Sequence, residues 1–160
     1  MVKLSKATVK QRIIAGALAG IPGGIAHALT NEIDRHVFRY DSDDMLMVTG
    51  TFMEDKSQAR KLGFFMHLGF AMAFGVGYAV VLNPRNKQDA VIRGVGAGLV
   101  ENALLWPLVA PLDKNHPYIR KGRIDQFNHP IALVQANLRH IALGLGIGLS
   151  YPTILRKLQR

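Results

Sequence analysis

Residues 62–82 read LGFFMHLGFAMAFGVGYAVVL. The stretch holds no Asp, Glu, Lys or Arg, and its one imidazole is His67. A helix needs about 20 mainly apolar residues to cross roughly 30 Å of hydrocarbon, and this run meets that length on its own. Working outward, three further runs have the same character. Residues 13–30 read IIAGALAGIPGGIAHALT, residues 91–112 read VIRGVGAGLVENALLWPLVAPL, and residues 131–155 read IALVQANLRHIALGLGIGLSYPTIL. The first is short for a span, and the last two carry ionisable side chains.

The rest of the chain supports the same reading. Of 160 residues, 49% are hydrophobic and 19% charged. The charges cluster between the apolar runs, where a soluble domain would interleave the two. The sequence therefore predicts an all-α, polytopic membrane protein: a four-transmembrane-helix bundle in one domain. The basic N-terminal arm before an apolar run resembles a signal peptide, but small residues 15–17 open the run where a cleavage site would follow its end. The first span is expected to be retained.

The formal net charge of +9 is accounted for by topology. Lys3, Lys6, Lys10 and Arg12 precede the first span, Arg85, Lys87 and Arg93 surround the middle turn, and Arg156, Lys157 and Arg160 follow the last span. Basic residues concentrate on the cytoplasmic side, so both termini and the middle turn are expected inside a cell (inner) membrane. The outer segment 34–61 holds six acids, and segment 113–129 is a mild exception with four basic residues. No basic patch interleaves aromatics for base stacking, so nucleic acid is not an expected partner. The expected partners are the lipid bilayer and other membrane subunits or a second copy. Cysteine is absent, which excludes disulfides and thiolate chemistry.

The chain also repeats itself. His67, Gly75, Tyr78 and Leu82 recur at the same spacing as His140, Gly148, Tyr151 and Leu155, and Ile14, Gly16 and Gly20 match Ile92, Gly94 and Gly98. Two like hairpins are expected, at about 8–84 and 87–157, related by an axis along the membrane normal. Small residues four apart let helices approach closely where lipid offers no hydrophobic gain. Gly16, Gly20, Gly24, Gly94, Gly98, Gly144 and Gly148 are therefore expected helix-packing positions, in a tight bundle or at an oligomer face. Pro22 and Pro107 are expected to kink or open their helices.

The segments His67–Tyr78 and His140–Tyr151 resemble small bacterial inner-membrane proteins of the YagU-like kind, in which a His is followed by small residues and an aromatic within a span. The resemblance implies a membrane location and carries no assigned chemistry.

Ionisable groups inside a bilayer are costly and mark candidate sites. At about 1.5 Å of rise per residue, His27 and His67 fall roughly 5–8 Å from the outer ends of their spans. Arg139 and His140 fall about 12–14 Å in, and Glu101 near the middle. Glu101 and Arg139, at similar depth, are the expected structural ion pair. Three further readings of the set stay open. His67 and His140, with His27 and Arg139, would suit a b-type haem, with imidazoles as axial ligands and Arg139 on a propionate, or a quinone pocket. Met45, Met47 and Met53 with His36 and the neighbouring acids would suit a metal ion. A transport path would use Glu101 and Arg139. G-x-S-x-G, H-E-x-x-H and P-loop patterns are absent, so no catalytic residue is assigned. The leading expectation is a non-catalytic membrane subunit, ahead of an electron-transfer bundle or a small transporter.

Overall fold

The computed structural model describes residues 7–160; Lys3 and Lys6 of the basic arm lie outside the described residues. The described chain is helical, with no strand. The long helices are α1 (Val9–Phe38), α3 (Lys56–Gly77, continued by a π-turn over Tyr78–Leu82), α4 (Lys87–Leu105) and α7 (Pro130–Leu158). The short helices are α2 (Asp44–Met47), α5 (Val109–Asn115) and α6 (Pro117–Arg120). Four helical stretches, of 30, 27, 29 and 29 residues, are long and apolar enough to cross a membrane. The protein is a multi-pass, four-helix membrane bundle.

Local chemistry sets the helix ends. Thr8 and Gln11 form a capping box at the start of α1, and the Asp55 and Asn86 side chains accept the Gln58 and Asp89 amides at α3 and α4. Such caps satisfy amides that have no intrahelical partner. Arg39 closes α1 in the left-handed region at φ 50°. Pro107 sits where α4 tightens into a 3-10 turn at Trp106–Leu108, as its missing N–H requires. Pro22, by contrast, is accommodated within an unbroken α1.

The helices lie in the order α3, α1, α7, α4. α1 and α7 form the central pair, α3 packs on α1, and α4 packs on α7; α3 and α4 barely meet. The α1–α3 and α4–α7 approaches are made by the expected glycines. A Cβ on Gly16 or Gly20 would overlap the Gly75 or Ala71 carbonyl of α3, and one on Gly94 or Gly98 would overlap the Gly144 or His140 carbonyl of α7. Gly148 closes on Ala90, and Gly24 on Ala71 and Leu68. All seven positions are filled inside the bundle. The central crossing adds Gly23 and Gly146, where a Cβ on Gly146 would lie 2.7 Å from the Gly23 Cα.

The hairpins α1–α3 and α4–α7 are alike in pairing, but their registers differ by one turn. Gly20 meets Ala71, and the repeat would set Gly98 against Gly144, yet Gly98 meets His140. At the end holding both termini, the equivalent Tyr78 and Tyr151 rings meet edge-on at 5.6 Å. There Gln11 Nε2 donates to the Leu158 carbonyl, 2.7 Å.

The opposite end is a folded cap. The sequence MLMVTGTFM completes α2 and forms a 3-10 turn at Thr49–Thr51 that tucks Met45, Leu46 and Thr49 out of solvent. Gly63 permits this, since a Cβ there would overlap the Met45 carbonyl. The segment 113–129 contributes α6 and packs Tyr118, Ile124 and Phe127 onto Leu46 and Val109.

Candidate functional site

The cap is held by a buried ionic network on α1, α2 and α7. Arg139, at 1% exposure, uses its whole guanidinium. Its Nε donates to Asp34 Oδ2 at 2.7 Å and its Nη2 to Asp34 Oδ1 at 2.5 Å, while Nη1 donates to the Ser42 carbonyl at 2.7 Å and lies 2.8 Å from Asp44 Oδ1. Gln135 Nε2 donates to Asp34 Oδ1 and to the Tyr40 carbonyl, both at 3.0 Å, and Gln135 Oε1 accepts from the Ser42 hydroxyl at 2.7 Å. Asp43 is fully buried, paired with Arg35 and Arg60, and accepts from Asn31 and the Met45 amide. Burial pushes the Asp43 carboxyl above the usual carboxylate range, against the opposing pull of Arg35.

The expected Glu101–Arg139 pair does not form. Depth matched these residues, but successive helical residues point about 100° apart. Arg139 faces α1 and Asp34, and the next residue, His140, faces α4 and Glu101 with Nε2 to Oε2 at 3.6 Å. The first apolar run stops at Thr30, but α1 continues to Phe38 and carries Asp34 along.

Below the network, three imidazoles converge from three helices. His27 of α1 lies tilted against His67 of α3 with ring centroids 4.1 Å apart, and meets His140 of α7 edge-on at 5.2 Å. His27 Nε2 lies 3.5 Å from Asp44 Oδ2, which links this cluster to Arg139. His140 Nδ1 contacts the Ala136 carbonyl at 2.8 Å. His27 Nδ1, His67 Nε2 and Glu101 Oε2 are buried without a hydrogen-bond partner. Unsatisfied buried polar atoms are rare and costly in native structures. These three share one location, whereas His116 Nδ1 lies in the cap.

They line a cavity of about 590 Å³. Its floor is His27, His67, His140, Glu101 and Asn102; its walls are apolar, from Phe70 and Phe74 of α3, Leu105 and Trp106 of the α4 end, and Leu143 of α7; α2 roofs it. The mouth lies between α3 and α4, where Phe70, Leu105 and Leu108 are exposed. Toward the termini the cavity ends above the Tyr78–Tyr151 contact, where the Tyr78 hydroxyl donates to the Ala90 carbonyl at 2.7 Å.

The site brings His27, His67, His140 and Glu101 together and leaves Arg139 out. Arg139 does not line the cavity, being committed to Asp34, so it does not serve a propionate there. Nor does the geometry fit a porphyrin clamped between His67 and His140. The His27 ring lies against both and occupies the space a macrocycle would need. Among the described residues no group of three or more His, Asp or Glu side chains is arranged to hold a metal ion. His36 is exposed at the end of α1, whereas Met45 is buried in the cap. Sequence reading missed Asp34, Asp44 and Gln135 as members of the network, and Trp106 as a wall residue. The one available signal was Asp34 lying a single helical turn beyond Thr30.

Comparison with family models, curated proteins and solved structures finds no match to the chain.

Proposed function

We propose that this protein is a non-catalytic, ligand-binding membrane protein that takes up a lipid-soluble amphiphile from the bilayer. The polar head of the ligand reaches the imidazole and carboxylate floor, and its tail leaves between α3 and α4. The observation that carries this reading is the cavity itself: a mostly apolar space of about 590 Å³, lined by all four long helices, with exposed Phe70, Leu105 and Leu108 on one side and unsatisfied polar atoms on the other. Binding sites commonly combine apolar walls with a few convergent polar groups. A ligand entering sideways from lipid needs no aqueous route. An isoprenoid quinone/quinol or a glyceride has the right form. We place both termini in the cytoplasm of a cell membrane, from the bias of Lys and Arg toward that end, so the cavity lies in the outer half of the bilayer.

The reading of the protein as a scaffold for other subunits rested on the glycine faces, which the bundle itself fills. A transport path through Glu101 and Arg139 is not favoured, because Arg139 lies outside the cavity and the Tyr78–Tyr151 layer closes its inner end.

Trp106 is the sole tryptophan and lines the cavity, so its fluorescence reports occupancy directly. Titration of detergent-purified protein with decyl-tailed benzoquinones and hydroquinones is expected to quench Trp106 saturably. Ala136→Phe, which fills the cavity from α7, is expected to abolish the saturable part and leave the linear, partition-driven part. Purely linear quenching, or the same curve in Ala136→Phe, overturns the proposal.

A further inference from the structure

Two groups on the cavity floor have an acceptor role fixed by what lies behind them. A carbonyl accepts only, so His140 Nδ1, 2.8 Å from the Ala136 carbonyl, carries a proton, and neutral His140 presents a lone pair at Nε2. That lone pair faces Glu101 Oε2 at 3.6 Å. One proton shared between these two groups, wherever it resides, leaves the Glu101 carboxyl group with accepting capacity toward the cavity. His27 Nε2 faces the Asp44 carboxylate at 3.5 Å, which places the His27 proton on Nε2 and leaves Nδ1 as an acceptor. Nδ1 is the atom left without a partner, on a side chain 2% exposed. The floor therefore presents two acceptors, on His27 and Glu101, whose roles are fixed by their surroundings.

Resting on the ligand-binding reading above, we infer that the site selects an amphiphile whose head carries two hydroxyl donors, and discriminates against the same skeleton bearing only acceptors. A dihydroxy aromatic head is the natural match, and the diol of a monoacylglycerol offers the same chemistry from another source. One hydroxyl donates to His27 Nδ1 and the second to the Glu101 carboxyl. A dicarbonyl head would leave both acceptors unpaired and set its own oxygens against them. A site built to bond a hydroxyl rejects analogues lacking it far more strongly than an apolar pocket rejects a missing methylene.

The test uses the full-length protein in detergent under anaerobic conditions, with Trp106 quenching or displacement as the readout. Four probes share one decyl tail: the hydroquinone, its quinone, its dimethyl ether, and monodecanoylglycerol. The hydroquinone is expected to bind at least tenfold more tightly than the quinone or the dimethyl ether. Displacement of the hydroquinone by monodecanoylglycerol supports the inference and shows that aliphatic hydroxyls suffice; failure to displace supports it for the aromatic diol. Quinone or dimethyl ether binding as tightly as the hydroquinone overturns the inference and leaves the ligand-binding proposal standing. No saturable binding by any probe overturns both. Glu101→Gln, nearly isosteric, places an amide donor in the floor and is expected to shrink the hydroquinone preference. A preference unchanged in that variant removes Glu101 from the recognition.

Discussion

Replacing Arg139 with Met removes one guanidinium from a site where the structure offers nothing to take its place. Asp34 is 3% exposed and Arg139 1%. Loss of the guanidinium strands the Asp34 carboxylate with only Gln135 Nε2 as a donor, frees the Ser42 carbonyl, and takes away the cation beside Asp44. Truncating one partner of a buried pair costs about 3–5 kcal/mol, since the other charge stays buried and uncompensated. Arg139→Lys keeps the charge but loses the two-pronged contact with Asp34, and is expected to cost about 1.5–3 kcal/mol, the scale of hydrogen bonds to charged groups. In Asp34→Asn/Arg139→Met the stranded charge is gone, so the double variant is expected to lose less than the sum of the single losses, with a coupling of about 0.5–3 kcal/mol. The assay is unfolding from mild detergent into SDS, followed by circular dichroism. A loss under about 1 kcal/mol for Arg139→Met, the level of an exposed ion pair, would refute the placement of Arg139 in a buried network.

Further outcomes follow from the same geometry. Gly144→Ala drives a Cβ into the Gly94 carbonyl and is expected to destabilise by about 1–3 kcal/mol. Gly96→Ala, with nothing within 4 Å, is expected to stabilise by about 0.5–1 kcal/mol through helix propensity; equal effects would argue against the tight α4–α7 crossing. Because burial raises the native Asp43 carboxyl above its unfolded value, its stability contribution is full below the ordinary carboxylate range and is lost as pH rises through the native value. Relative to Asp43→Asn, the protein is therefore expected to lose stability from about pH 4 upward in thermal melts, and a rising difference would contradict the sign. Reporter fusions at Gly50 and Arg160 are expected on opposite sides of the membrane; the same side would overturn the topology. Purified protein is expected to show no Soret band, and a band removed by His67→Ala would contradict the steric exclusion of haem by His27.

Much of the bundle was legible in the order of residues. Apolar runs of membrane-spanning length force helices, because hydrocarbon offers no partner to an open backbone. The glycines four apart were readable as contacts, since small residues in that spacing make one continuous groove. The boundaries were less legible. Hydropathy stops at the first polar residues, while backbone hydrogen bonding carries α1 two turns further, and with it Asp34. The ion pairing was misread for a geometric reason: rise along a helix gives depth but not direction. Arg139 and His140 are adjacent in the chain, yet they serve a cap network and a cavity floor respectively.

The sequence alone determined four helices long and apolar enough to cross a membrane, the small-residue positions at which they meet, and histidines gathered toward one side. These follow from local composition and period. Tertiary structure decided what those residues face. It placed His27 between His67 and His140, gave Arg139 to Asp34, and opened a cavity lined by His27, His67, His140 and Glu101. Such outcomes depend on the azimuth and register of four helices at once. A one-turn slip between the hairpins changes which side chains meet without altering the pattern of residues along the chain.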